Sequence, residues 1–172
     1  MSRDRSTKSG GAAGRAGPSA GEAYRRLAPA VLGYFRARRV PEPEDLLGDV
    51  FLQVAKDVHR FEGDDDALRR WVFAIAHNRM IDDARRRARR PVRSDREMPD
   101  LPAAESADLP DPELLDALAG LTEEQLEVVT LRFVADLPVE VVARITGRTS
   151  GAVKSLQHRA LENLRKAVSL RE

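Results

Sequence analysis

The chain has 172 residues, enough for one domain of ordinary size or two small ones. At 42% hydrophobic and 33% charged residues it can bury a core, and with only 5% aromatics that core must come mainly from Leu, Val, Ala and Ile. The absence of cysteine excludes a disulfide framework, a thiolate zinc site and a catalytic thiol.

Residues 1–20 are mainly Gly, Ser, Ala and Arg with no large apolar residue after Met1, so they read as a disordered tail. From there Tyr24, Leu27, Ala28, Val31, Leu32 and Phe35 recur at helical spacing and predict an inner face. Pro29 falls within that pattern and implies either a kink or a later start. Pro43 suits the first turn of a second helix, with Glu44 and Asp45 at the positive end of its dipole. Its inner face is Leu46, Leu47, Val50, Phe51 and Val54; Asp45, Asp49, Gln53 and Lys56 point away. A polar break from His59 to Asp66 follows, and one of its three consecutive Asp is expected to cap the next helix. That helix runs from Ala67 through Leu68, Trp71, Val72, Ile75, Ala76, Arg79 and Met80 to Arg90, where Pro91 stops it.

Residues 91–111 are rich in Pro, acids and small residues, and read as a flexible acidic linker between two domains, 21–90 and 112–172. A short helix is expected from Pro112 to Leu118, ended by Gly120. Thr122 with Gln125 forms a capping-box pattern before Leu126, Val129, Thr130 and Phe133. Pro138 opens a helix carrying Val139, Val142 and Ile145, and Gly147 stands where a helix ends. Thr149 or Ser150 caps a last helix with Val153, Leu156, Ala160, Leu164, Ala167 and Val168 inward. No alternating strand pattern occurs, so the fold class is all-α: two small helical domains, the second a helix-turn-helix.

Charge is distributed unevenly. Residues 79–93 hold seven Arg against two Asp, 94–120 hold eight acids against Arg96, and 145–172 hold six bases against two Glu. Two basic segments flanking an acidic connector suggest two polyanion-binding surfaces; a solvated Arg-rich helix is the plainer reading of the first.

The last two helices carry the most specific pattern. Lys154, Ser155, His158 and Arg159 sit beside or opposite the Val153/Leu156/Ala160 stripe, where they could enter a major groove. Amides at Ser150 and Gly151 could meet a phosphate. A plain helical hairpin is the alternative. Upstream, Trp71 and Phe73 are either core residues or base-stacking aromatics, and Asp45 with Asp49 either meet a basic partner helix or are merely solvated. No nucleophile, phosphate-cradling glycine loop or metal-ligand spacing of the three His accompanies them, so neither an enzyme, a metal nor another cofactor is expected. No apolar run approaches the roughly 18 residues of a membrane span, and no signal peptide is visible; the expectation is a cytoplasmic protein without membrane insertion.

In order along the chain, these segments resemble the extracytoplasmic-function (group 4) branch of the sigma-70 family. Glu44 to Val54 looks like the helix that binds core RNA polymerase. Leu68 to Asn78, with Asp82 and the Arg run, looks like the segment that reads and melts the −10 element. Leu121 to Val129 and Gly151 to Ala160 look like the −35-reading unit, a helix-turn-helix of winged-helix-like type.

The resemblance implies a transcription-initiation subunit that binds the clamp of the polymerase's largest subunit and promoter DNA. An anti-sigma factor is a family expectation as a further partner. Asp45, Asp49, Leu52 and Gln53 would face the polymerase. Arg60, Phe61, Asn78, Arg79, Arg85 and Arg86 would serve the −10 element, with loop Arg60 to Asp66 placed to hold an extruded base. Ser150, Lys154, Ser155, His158 and Arg159 would serve the −35 element. The chain departs from the family pattern at Gly48, at the acidic run Asp64 to Asp66 and at Leu156. Two other readings remain open: a two-domain helix-turn-helix regulator that never binds core polymerase, and a helical adaptor for acidic proteins.

Overall fold

In a computed structural model of the chain, the described residues are 17–89 and 117–169, without the side chain of Val168. The expected linker and most of the expected tail lie outside them.

Helix α1 spans Ala20–Ala37. Ser19 caps it reciprocally: its hydroxyl accepts from the Glu22 amide, and the Glu22 carboxylate accepts from the Ser19 amide at 2.8 Å. The helix continues through Pro29. That proline is solvent-exposed, so the Arg25 carbonyl it leaves without a helical donor faces water, while Leu27, Ala28 and Val31 are buried around it. Tyr24, expected inward, is 49% exposed; it touches the core only edge-on, 4.9 Å from the Phe51 ring. Tyr34, absent from the expected stripe, is fully buried. At the helix end Arg39 takes a left-handed φ of 54°, and the Val40 amide reaches back to the Phe35 carbonyl at 3.0 Å.

Helix α2, Pro43–Asp57, buries the five expected residues, Leu46, Leu47, Val50, Phe51 and Val54. A single 3-10 turn, Val58–Arg60, leads into the loop before α3, Asp65–Arg89. Asp64 caps α3: its carboxylate accepts from the Ala67 amide at 2.8 Å and its carbonyl from the Leu68 amide. The helix therefore starts two residues before Ala67. Its buried residues are Leu68, Val72, Phe73, Ala76, His77 and Met80, so Phe73 is core and Trp71 lies half-buried beside it.

The second unit begins in a turn of helix at 117–119, closed at Gly120. The Thr122/Gln125 capping box opens α4, Glu123–Val129. α4 runs into a π-helical turn, Thr130–Val134, whose wider winding changes the phase of the side chains. Phe133, expected inward, is 54% exposed, and Leu131 is fully buried instead. α5, Val139–Thr146, follows Pro138 and ends at Gly147, whose φ of 66° is left-handed. α6, Ser150–Ser169, is capped by Thr149, whose hydroxyl accepts from the Ala152 amide at 3.2 Å. No strand occurs among the described residues, so α5, the turn and α6 form a helix-turn-helix without a β wing.

One apolar cluster runs through both units, from Phe35, Val50 and Phe73 to Val128, Leu131, Val142 and Val153. Each such fully buried side chain is worth about 1.5–3 kcal/mol relative to exposure. The units meet where α1 packs on the π turn and α3 on α5, with polar side chains of α1 and α3 reaching α4. There Arg69 donates to the Ala135 carbonyl at 3.1 Å, and Arg38 to the Glu123 carbonyl at 3.1 Å.

Candidate nucleic-acid and polymerase interfaces

The outer face of α2 carries Asp45, Gly48, Asp49, Leu52, Ala55 and Lys56, all exposed. Leu52 is 62% exposed, an unusual position for a large apolar side chain on a charged helix. Gln53, expected on this face, turns aside: its amide nitrogen donates to Asp57, and its amide oxygen accepts from Arg79 at 2.8 Å. Gln53 and Arg79, expected at different interfaces, thus join α2 to α3. Asp45 and Asp49 also line a cleft of 260 Å³ with Glu42, Asp83, Arg86 and Arg87, so the acids of α2 stand next to the basic end of α3.

That basic end is largely paired with acids of its own unit. Arg85 lies 3.8 Å from Asp82, Arg86 lies 3.0 Å from Asp83, and Arg87 bridges Asp83 at 2.6 Å and Glu42 at 2.9 Å. Burial pushes the Asp83 carboxyl up, but Arg87 and Arg86 outweigh it and hold it below the usual carboxylate range.

The loop before α3 forms a concavity of 940 Å³ whose lining includes His59, Phe61, Gly63 and Asp64 to Asp66. Phe61 stacks on Trp71 with ring centroids 5.3 Å apart. Arg60 is exposed, outside this lining. Gly63 makes a close approach: a Cβ there would lie 2.8 Å from the Ala67 Cβ and 3.0 Å from the Phe61 ring. Arg26 of α1 ties the loop down, reaching both Asp65 oxygens at 2.6 Å; its hydrogen bond lowers the Asp65 carboxyl's proton affinity.

Asn78 is exposed and shares a groove of 460 Å³ with Trp71, Ala74 and Arg70 on one wall and Val141, Arg144 and Ile145 of α5 on the other. In this arrangement α5 stands over the segment expected to face the −10 strands.

On α6, Lys154, Ser155, His158 and Arg159 are all exposed, while Val153 and Ala160 are fully buried on the opposite side. Ser150 is half-buried in the first turn, below the Thr149 cap. His158 lies 3.5 Å from Glu162. Leu156 is half-buried against the core. The turn is braced by Arg148, which donates to Glu127 and, at 3.4 Å, to Glu124. Among the described residues no group of His, Cys, Asp or Glu is arranged to hold a metal ion, and no helix is long and apolar enough to cross a membrane.

Sequence reasoning missed the polar seam between the units. His77 is 5% exposed, with its Nδ1 3.1 Å from the Tyr34 hydroxyl and its Nε2 3.8 Å from a Glu127 oxygen. Arg38 is almost wholly buried and pairs with Glu123. A His, a Tyr, a Glu and an Arg at ordinary helix positions carry no local signal.

Residues 22–90 match the family model for sigma-70 region 2, and residues 117–166 that for sigma-70 region 4. The chain is 34% identical over 156 residues to the ECF RNA polymerase sigma factor ShbA of Streptomyces griseus, covering 80% of this chain and 81% of ShbA. It is 34% identical over 149 residues to the RNA polymerase sigma factor CarQ of Myxococcus xanthus, covering 83% and 84%. The ECF sigma factor BldN of Streptomyces coelicolor is 32% identical over 138 residues, which are 76% of this chain; the chain spans about half of BldN, 52% of its length. Among solved structures, the sigma factor RpoE in complex with the anti-sigma factor NepR from Bartonella quintana superposes with a TM-score of 0.68 at 24% identity, covering 87% of this chain and 96% of that one. CnrH in complex with the cytosolic domain of CnrY gives 0.60 at 20% identity, covering 89% of each. At these identities the structures show a shared fold.

Proposed function

Since the chain belongs to the sigma-70 family as an extracytoplasmic-function sigma factor, a subunit that directs promoter-specific initiation, we propose a division of labour among its surfaces. The outer face of α2 docks on core RNA polymerase, at the clamp of the largest subunit. Asp45 and Asp49 supply charge for a basic partner, and the exposed Leu52 supplies apolar contact. The loop Arg60 to Asp66, whose Phe61 ring lines the concavity with Trp71 stacked behind it, receives an unstacked base of the −10 element, and Asn78 contacts the melted strand. Arg85 and Arg86 hold neighbouring phosphates once their own carboxylates are displaced.

The single observation that carries the reading is α6. It is a capped helix whose core side is buried and whose far side presents Lys154, Ser155, His158 and Arg159 together, behind a left-handed glycine turn. This arrangement supports α6 as the recognition helix for the major groove of the −35 element. The protein supplies binding and strand capture, with no chemistry of its own, and acts where its polymerase is, in the cytoplasm. An anti-sigma factor is a fitting partner, since the superposed RpoE was solved with one, NepR.

Transcription by purified core polymerase with this protein added tests the whole. Initiation from selected promoters is expected; sequence-specific DNA binding without initiation would instead indicate a regulator that never engages core. Asp45→Arg with Asp49→Arg tests the docking face. Both residues are exposed, so the fold should hold, with only a small drop in thermal midpoint from cations at the α2 start beside Arg86 and Arg87, while core binding in a pull-down is lost.

A further inference from the structure

The seam between the units contains an ionisable group that none of the interfaces above uses. His77 lies near the middle of α3, nearly sealed from water. α1 presents Tyr34 and Arg38 there, α4 presents Glu123 and Glu127, and the turn before α6 presents Arg148, which also reaches Glu124. Arg38 and His77 belong to the first unit, Glu123, Glu127 and Arg148 to the second.

Pairing of the buried Tyr34 proton favours one tautomer. The Tyr34 hydroxyl, fully buried, has one hydrogen-bond partner among the described residues, His77 Nδ1. If Tyr34 donates to Nδ1, the imidazole proton sits on Nε2, facing Glu127. The buried Tyr34 proton and the Nδ1 lone pair are then matched with a neutral ring, and the Nε2 proton points at Glu127, 3.8 Å away. A second proton must go on Nδ1. Tyr34 would then have to accept, and its own O–H would be left buried without an acceptor. Nor does a free countercharge await it: Glu127 is already held by Arg148 and Glu123 by Arg38, and both guanidiniums repel an added cation.

We propose that His77 is a proton-operated latch between the two helical units, which holds them closed when neutral and lets them part when it is protonated. The opening would clear α5 from the Trp71–Asn78 groove. Burial lowers the proton affinity of His77 in the closed form; Glu127 opposes this, and Arg38 and Arg148 add to it. In the open form the ring meets water and takes its ordinary value of about 6.5. The closed form thus binds fewer protons. Its advantage is complete above about pH 6.5 and falls as pH drops below it, with the open-to-closed ratio rising up to tenfold per pH unit.

The natural sequence has no cysteine, so one dye pair can be placed at Ala55→Cys on α2 and Lys166→Cys on α6, both exposed. Energy transfer in the full chain is then followed from pH 7.5 to 5.5. Transfer is expected to drop below about pH 6.5 with far-ultraviolet circular dichroism unchanged. With His77→Gln, which stays neutral, it should be flat. With Glu127→Gln, which removes the carboxylate favouring the charged ring, the acid transition should deepen. Constant transfer in the parent, or the same transition in His77→Gln, would overturn the latch. If His77→Gln fails to fold, the parent and Glu127→Gln decide: equal or weaker acid opening in Glu127→Gln refutes it.

Discussion

The two basic helix regions, the end of α3 and the outer face of α6, are similar in composition and opposite in circumstance. On α3 the guanidiniums of Arg85, Arg86 and Arg87 each lie within 4 Å of a carboxylate, and Arg79 is bonded to Gln53. On α6 neither Lys154 nor Arg159 has an ion pair among the described residues; His158 alone faces an acid, Glu162. Sequence charge counts what a helix carries; structure shows what it can offer. A phosphate arriving at α3 must displace Asp82 or Asp83, whereas one arriving at α6 displaces only water and counterions. The first surface is suited to engagement after polymerase has brought DNA close, the second to first contact with duplex.

The sharpest way to break this contrast is to truncate one cation on each. Arg159→Ala should cost about 1–3 kcal/mol of −35 binding and relax preference at one base pair, if it reads a base edge. In a matching titration with −10 DNA, Arg86→Ala should cost less, because the lost phosphate contact is offset by the Asp83 pair no longer broken. Equal losses would mean that pairing on α3 does not matter. Lys154→Ala, nearer the helix start, should weaken all sequences alike and lower the salt slope by about one unit.

Next in size is Gly147→Ala. A left-handed φ at a non-glycine costs about 1–2 kcal/mol, and the added Cβ meets nothing within 4 Å. Chemical denaturation should show that loss while DNA specificity stays, because α6 keeps its Thr149 cap and Arg148 brace. A changed selected sequence would show that the turn sets how α6 enters the groove.

The smallest effect sharpens the comparison from the α3 side. Asp83→Asn weakens the hold on Arg86 and Arg87 and should steepen the salt dependence of DNA binding by up to about one unit per cation released. Stability should fall by less than about 1 kcal/mol, since both arginines are exposed. The wild-type Asp83 carboxyl is held low, so its contribution is present above the ordinary carboxylate value and is lost as pH falls through the lower folded one. The thermal midpoints of wild type and variant should therefore differ at neutral pH and converge in acid.

Where a feature depended on neighbours within a few residues, the sequence revealed it. The Thr122/Gln125 box, the Gly147 turn and the five buried residues of α2 all follow from local spacing. Phe133 was misplaced because a helical wheel assumes 3.6 residues per turn, and the π turn winds more widely at that point. Tyr24 was misplaced because period alone does not say how far a partner helix extends over the first turn. Among site residues, exposure of the four α6 side chains followed from the Val153/Ala160 stripe. The Gln53–Arg79 bond did not, since it joins side chains 26 residues apart. The Tyr34–His77 and Arg38–Glu123 pairs span 43 and 85 residues, and no periodicity encodes such meetings.

If the loop receives a −10 base as proposed, the close approach at Gly63 bears on how promoter preference could diverge. Any side chain there would collide with Ala67 and Phe61, so this position cannot drift without moving the loop. Asp64 is committed to capping α3 and Asp65 to Arg26. Glu62 and Asp66 remain, with His59 and Arg60 just before them, all exposed. They are the letters at this loop that evolution, or a library, can rewrite while the backbone beneath keeps its shape.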